Sequence, residues 1–268
     1  MRLTSPETIR AITSEWKGDR DANGRPLVPV DVLRRLEGVT TEEAWSVLQN
    51  HGYTEQFEGG WKMLHPDRIL VGRAVTCRYV PLRPDIDNTV NARGAAEDRI
   101  GSQNSWVIDE LVEDDVVVVD LFGKIRDDGF VGDNLATAVK ARTNRGLVVD
   151  GSLRDVQGVI KIPEFAVFYR DSHPSPFSQV TMVEINGVVR IGAATCVAGD
   201  VVLGTLSGVI FIPPHLVEEV VQYSEDTQAR DAFGKQRIEE GVYTSGEVDR
   251  EFSKEMERDF QRWRANRT

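Results

Sequence analysis

Two short apolar runs, each closed by glycines and acids, limit the fold of this chain more than any other feature of it. The first, Asp115 to Leu121, leads through Gly123 and Gly129 to Gly132-Asp133-Asn134-Leu135-Ala136. The second, Gly146 to Val149, runs into Asp150-Gly151, with Arg154-Asp155 close behind. Each cluster therefore follows a predicted strand. The interval 134–153 holds 20 residues, room for one helix and one strand. That spacing can bring two acids, an arginine and a helix N-terminus together. An anion beside a divalent metal ion is the natural guest of such a place.

The remaining pattern predicts an α/β core. β-branched runs alternate with turns over Ile69–Cys77, Val116–Leu121, Leu147–Val149, Ala166–Tyr169, Thr181–Ile185, Val188–Ile191, Val201–Leu203 and Val209–Ile212. Asn186-Gly187 lies between two of them and predicts a hairpin. Helices are expected at Ala92–Val107 and Leu135–Thr143. Before this core, Ser5-Pro6-Glu7 starts a helix, 19–29 is a loop, and Thr40 with Glu43 forms a capping box for a helix through Leu48. After Pro213-Pro214 the chain turns helical. Leu216, Val217, Val220 and Val221 make one apolar face, and Thr244 with Glu247 caps a last helix. The stripe Val248, Phe252, Met256, Phe260 and Trp263 packs on the core or on a neighbouring subunit.

Composition narrows the partners. A formal charge of −11 over 268 residues argues against a nucleic-acid or anionic-membrane surface. No run approaches the length of a membrane span, and no secretory signal follows Met1, so a cytoplasmic location is expected. Cys77 and Cys196 sit in strand-like runs and read as buried thiols. Trp45, Trp61 and Trp106 read as core residues, and His173 as an exposed histidine of a Pro-rich loop.

The glycine-flanked cluster has an ordinary reading and a chemical one. Asp133 is either the N-cap of the helix that follows or part of a site in which the unpaired amides of that helix meet a carboxylate. Arg154-Asp155 is either a solvated pair or a ligand-binding one. An Arg fork suits a carboxylate or a developing enolate oxygen, and a carboxylate with water suits magnesium or manganese.

These residues resemble the RraA-like family, which includes 4-hydroxy-4-methyl-2-oxoglutarate aldolases and oxaloacetate decarboxylases. The shared pattern is an Asp, twenty residues, then Arg-Asp: here Asp133, then Arg154-Asp155. Phe168-Tyr169-Arg170, Asn186-Gly187-Val188, Gly199-Asp200-Val201-Val202 and Gly208-Val209-Ile210-Phe211-Ile212-Pro213 keep the family's order. Thr205-Leu206-Ser207 replaces an acidic pair usual before the last strand, and 171–176 lacks a Lys often found nearby.

The resemblance implies a compact swivelling β/β/α-type domain with a mixed sheet over 39–221. An N-terminal extension covers 1–38 and a helical C-terminal tail 222–268. It implies a metal-dependent lyase acting on a 2-keto acid through a pyruvate-type enolate. Asp155 would be the direct ligand of a divalent ion, magnesium first and manganese second. Asp133 would position a water, and Arg154 would contact the keto-acid oxygens. Gly132 and the amides of Asn134 and Leu135 would receive the substrate carboxylate. It also implies a homotrimer or homohexamer with sites between subunits, to which Glu218 or Glu219 could lend an acid. The alternative is a non-catalytic regulator acting by protein–protein contact, because the family's founding member inhibits a ribonuclease in that way.

Overall fold

The computed structural model of the protein describes residues 4–266. The start of the N-terminal extension, with Met1 from which the absence of a signal was read, lies outside the described residues. In chain order the helices and strands are α1 (Pro6–Ile12), α2 (Val30–Leu36), α3 (Thr41–Asn50), β1 (Phe57–Glu58), β2 (Lys62–Leu64), β3 (Leu70–Pro81), α4 (Pro84–Ala96) and α5 (Gln103–Asp109). Then come β4 (Asp115–Gly129), α6 (Asp133–Thr143), β5 (Leu147–Leu153), α7 (Val156–Val159), β6 (Val167–Ser172), β7 (Val180–Ile185), β8 (Val188–Ile191) and β9 (Ala194–Val197). The chain closes with β10 (Val201–Thr205), β11 (Gly208–Ile212), α8 (Val217–Glu239), α9 (Ser245–Val248) and α10 (Lys254–Ala265).

One mixed sheet runs β1-β11-β10-β3-β4-β5-β6-β2, with β7 added to β3. Its centre, β3 to β6, is parallel, and the flanks are antiparallel. The central strands are Val-rich because both faces are covered. On one face, Val117, Val119, Leu147 and Val149 pack with Trp106, Ala136, Val139 and Val159 of α5, α6 and α7. Farther along that face, Val201, Leu203, Ile210 and Ile212 meet α2, α3 and the first turns of α8. On the other face, Val116, Val118 and Val148 pack against Val189, Ile191, Ala194 and Cys196 of the two-stranded β8–β9 sheet. Small sheet, large sheet and helices thus form the β/β/α layering, with a helical C-terminal region beyond it. Among the described residues no helix is long and apolar enough to cross a membrane.

The local capping signals hold. The Ser5 side chain accepts from the Thr8 amide, with Pro6 at the start of α1. Both halves of the Thr40–Glu43 box are present. The Thr244–Glu247 box is also complete, but it opens the short α9; α10 is capped by Ser253 instead. The apolar stripe of the tail packs neither on the sheet nor as a free face. Met256 and Phe260 bury Phe233 of α8, with Phe252 and Trp263 around them, as a satellite cluster.

Three expectations fail. Asn186-Gly187 is a turn, with Asn186 at φ 56°, but no hairpin: β7 pairs with β3, whereas β8 pairs with β9. Thr76 of β3 takes the turn's polar groups instead. Its hydroxyl donates to the Gly187 carbonyl at 2.9 Å and accepts the Gly187 amide at 3.0 Å. The helix expected over Ala92–Val107 is two helices, α4 and α5, because Asp98 and Gly101 turn the backbone to positive φ between them. Trp45 is 46% exposed rather than core, while Trp106 is buried as expected. The helix α2 carries no cap of the usual type, with Pro29 at its N-cap, and follows a stretch rich in loop residues, which hid it from pattern reading.

Candidate active site

The site forms at the carboxyl end of β5. β4 leaves the regular ladder after Asp120, meets β5 again at Lys124, opposite Gly151, and once more at Gly129, opposite Ser152. From there the two segments stay zipped: Phe130 N–H donates to the Ser152 carbonyl at 2.9 Å, and Arg154 N–H to the Val131 carbonyl at 3.1 Å. This backbone pairing sets Gly132-Asp133 beside Arg154-Asp155 despite their separation in sequence. All of the residues singled out by the spacing therefore come together.

Gly132, not Asp133, is the N-cap of α6, and Asp133 is its first helical residue. One carboxylate oxygen of Asp133 accepts the Asn134 amide at 2.9 Å. Of the two amides expected to receive a carboxylate, that of Asn134 is thus turned to Asp133. Leu135, in the first turn, has no carbonyl one turn earlier within the helix. Asp155 has a left-handed backbone, φ 53° and ψ 35°, at the N-cap of α7, yet its carboxylate makes no capping bond. Its carbonyl does that work, accepting from Gly158 N–H at 2.7 Å and Val159 N–H at 3.0 Å. A non-glycine residue held in this region costs on the order of 1 kcal/mol, and such strain gathers at functional sites.

Two glycines make the approach possible. A Cβ on Gly132 would lie 2.5 Å from Asp155 Oδ2 and 3.2 Å from Arg154 Nε; one on Gly158 would lie 2.7 Å from Asp133 Oδ2. The start of α6 is therefore bracketed by the two carboxylates, with the guanidinium alongside. Arg154 and Asp155 are 40% and 47% exposed and only 3.6 Å apart at Nη1–Oδ2. Neither is locked, so both can meet a ligand. Among the described residues no group of three or more His, Cys, Asp or Glu converges as a ready metal cage. The donor set suits a hard ion that keeps most of its water and takes one or two carboxylates. Asp155 could be such a ligand, in the space that the bare Gly132 leaves.

The loop after β6 walls the site. Asp128 is fully buried, and its Oδ1 accepts the amides of Ser178 and Gln179 at 2.8 and 2.7 Å. Lys124 Nζ stands 3.5 Å from its other oxygen. His173 is half-buried, which corrects its reading as an exposed loop residue. Its Nδ1 lies 2.8 Å from Ser175 Oγ and accepts the Asp127 amide at 3.3 Å. The Ser175 carbonyl and Arg154 Cβ both crowd Gly129. Within the protomer, Glu219 is bonded to His51 at 2.9 Å and Glu218 stands 3.8 Å from Arg35, on the α3 and α2 flank.

A second charged cluster, which pattern reading did not find, lies under the β8–β9 turn. Arg170 Nε donates to Asp150 Oδ1 and Nη2 to Glu58 Oε1, both at 2.6 Å, while Nη1 donates to the Gly59 carbonyl at 2.9 Å. The guanidinium also stacks 3.9 Å over the Trp61 ring. The remaining oxygens of Asp150 and Glu58 accept the amides of Gly192 and Ala193. Burial raises the pKa of neighbouring Asp120, and the nearby Asp150 adds to the rise. Its partners are far apart in sequence, and no spacing announces them.

A family model described as RraA-like, Aldolase/RraA, matches residues 31–211. The chain belongs to the RraA-like family. An uncharacterized protein of Methanocaldococcus jannaschii is 26% identical to it over 165 residues, 60% of this chain and 79% of that one. A Halalkalibacterium halodurans protein, provisionally named 4-hydroxy-4-methyl-2-oxoglutarate aldolase, is 29% identical over 128 residues, 48% of this chain and 60% of that one. Among solved structures, Streptomyces coelicolor RraAS2, described as an unusual member of the RNase ES inhibitor RraA protein family, superposes with a TM-score of 0.67 at 23% identity. It covers 80% of this chain and 98% of its own. An uncharacterized Pseudomonas syringae protein reaches 0.70 at 20% identity, over 87% and 98%. These structures establish the RraA-like fold.

Proposed function

We propose that this RraA-like protein is a divalent-metal-dependent lyase that cleaves a 2-keto acid, by retro-aldol cleavage of a 4-hydroxy-2-keto acid or by decarboxylation of oxaloacetate. The observation that carries the reading is the convergence of Asp133, Arg154 and Asp155 on the start of α6, with the Arg154 and Asp155 side chains unlocked. The aldolase name borne by the H. halodurans relative supports the same reaction class.

Asp155 would hold the ion, which when bound supplies Lewis-acid polarisation of the keto group. The substrate carboxylate sits at the start of α6, where the Leu135 amide and the helix dipole favour negative charge. Carbon–carbon cleavage moves an electron pair onto the former keto oxygen. Arg154 donates hydrogen bonds to that oxygen as its charge grows, and a preorganised donor of this kind is worth about 3–4 kcal/mol. Asp133 positions the water that carries the proton. The site is completed, in this reading, between subunits of a homotrimer or homohexamer, which light-scattering mass would establish.

The test is pyruvate release from oxaloacetate and a panel of 4-hydroxy-2-keto acids by metal-stripped protein, with and without magnesium or manganese. Metal-dependent release is expected. Arg154→Lys keeps the charge but loses the fork, and turnover should drop about a hundredfold. A folded, metal-replete protein that releases no pyruvate from any of these substrates would remove the lyase reading and favour regulation by protein contact.

A further inference from the structure

On the opposite flank, where β10 begins and β11 ends, lies a cleft of about 160 Å³ roofed by the end of α1. Its walls include Ile12, Glu15, Tyr53, Asp200, Pro214 and His215. Strand order β10-β3-β4-β5 sets it three strand spacings, roughly 14 Å across the sheet, from the strand that leads to Arg154–Asp155, and nearer the opposite end of the strands. Nothing in the lyase reading uses it.

Asp200 is the feature that needs a reason. It is only 4% exposed. Its backbone is fixed on both sides: its carbonyl accepts from Ala74 N–H at 2.8 Å, and its N–H donates to the Val197 carbonyl at 3.0 Å. One carboxyl oxygen, Oδ2, accepts the Val197 amide at 2.7 Å. The other, Oδ1, has no hydrogen-bond partner among the described residues, and Asp200 lines the cleft. Serving one turn amide does not require an acid, because an asparagine oxygen would do as well. A buried carboxylate without a cation is costly.

Among the described residues no cation answers it. Arg25 reaches the neighbouring Ala74 carbonyl but is committed to Asp115 and Asp21. Burial lowers the pKa of His215, which leaves that ring neutral at neutral pH, with Nε2 3.4 Å from the Tyr53 hydroxyl. Glu15 adds a second carboxylate at the mouth, and the buried Cys196 thiol, also close to Asp200, is held neutral by burial. The cleft therefore offers two carboxyls, two ring faces and aliphatic walls, with no Lys or Arg among the described residues that line it; Arg20 stands behind the wall, bonded to Thr13.

We propose that this cleft binds a small organic cation, a primary amine of about six non-hydrogen atoms, the size that a cavity of roughly 150 Å³ accepts. The ammonium group donates to Asp200 Oδ1. Its alkyl part lies against Ile12, Pro214 and the Tyr53 and His215 rings, which suit a cation's flank. Burial pushes the Asp200 carboxyl up to about 7, so below that pH the incoming ammonium displaces one proton to solvent, and affinity rises with pH.

Calorimetric titration of the full chain with n-butylammonium chloride, butan-1-ol and sodium butyrate between pH 6 and 8 tests this. Butylammonium should bind at least tenfold more tightly than butan-1-ol, and butyrate not at all. Its affinity should rise several-fold from pH 6 to 7 and level off above. D200N, which can still accept the Val197 amide, should lose tenfold or more. T195F, placed at an exposed wall position, should block binding without touching Asp200. Equal binding of alcohol and amine, unchanged affinity in D200N, or no binding by the folded protein would each overturn the proposal.

Discussion

Arg154 and Arg170 stand near the same end of the sheet, each beside aspartates, and they could hardly be held more differently. Arg170 is clamped between Asp150 and Glu58 by bonds of 2.6 Å, with a ring beneath it and the remaining carboxylate oxygens bonded to backbone amides. Arg154 has Asp155 at 3.6 Å and stands 40% exposed. A fully satisfied network fixes structure. A pair left loose beside a helix N-terminus keeps its bonding capacity for a ligand. The same residue types thus serve architecture on one side of β5 and, in our reading, chemistry on the other.

That contrast can be broken by substitution. Asp155→Ala should reduce pyruvate release about a thousandfold or more while moving the thermal midpoint by no more than about 2 °C, because its carboxylate makes no capping bond and its pair with Arg154 is long and exposed. Retained turnover, measured alongside circular dichroism, would end the chemical reading of the loose pair. Arg170→Met should do the reverse. It strands two largely buried carboxylates and should cost about 3 kcal/mol in urea unfolding, with turnover of the remaining folded protein little changed. Gly132→Ala sharpens the geometry. Its backbone, φ −104°, tolerates alanine, but the methyl needs the space of Asp155 Oδ2. Turnover should fall about tenfold to a hundredfold with stability within about 1 kcal/mol.

Asp200 extends the comparison to an acid with no arginine at all. Its carboxyl is pushed up to about 7 by burial, from a reference of 3.8. Between these values the folded chain holds a proton that the unfolded chain has released. Stability therefore falls as pH rises through this window, by up to about 1.4 kcal/mol per pH unit, and levels off above it. Asp200→Asn should flatten that slope and be the more stable form at pH 8. A parallel pH profile for the two proteins would show that the acid is not held neutral.

What could be read from sequence follows the range of the forces involved. Thr40 with Glu43, and Asp133 followed by Arg154-Asp155, act through neighbouring backbone or one βαβ spacing, so their pattern is visible. Asn186-Gly187 fails as a hairpin because Thr76, far earlier in the chain, captures its polar groups. The Arg170 clamp joins residues near 58, 150, 170 and 192, and the wall of the site hangs on Asp128. Neither has a local signature. The bracketing of α6 by two carboxylates rests on the close approach of Gly132 to Asp155 and of Gly158 to Asp133, which no local pattern encodes.

Helix α8 belongs to two cores. Its first turns sit in the sheet's cluster, and Phe233 sits with Met256 and Phe260. At about 1.5 Å per residue its 23 residues form a rod roughly 35 Å long. The satellite cluster buries few side chains, so it can open without melting the sheet. Backbone amides late in α8 and in α10 should then exchange their hydrogens well before those of β4 and β5. The rod makes the tail a lever whose free end loosens independently of the centre it is rooted in.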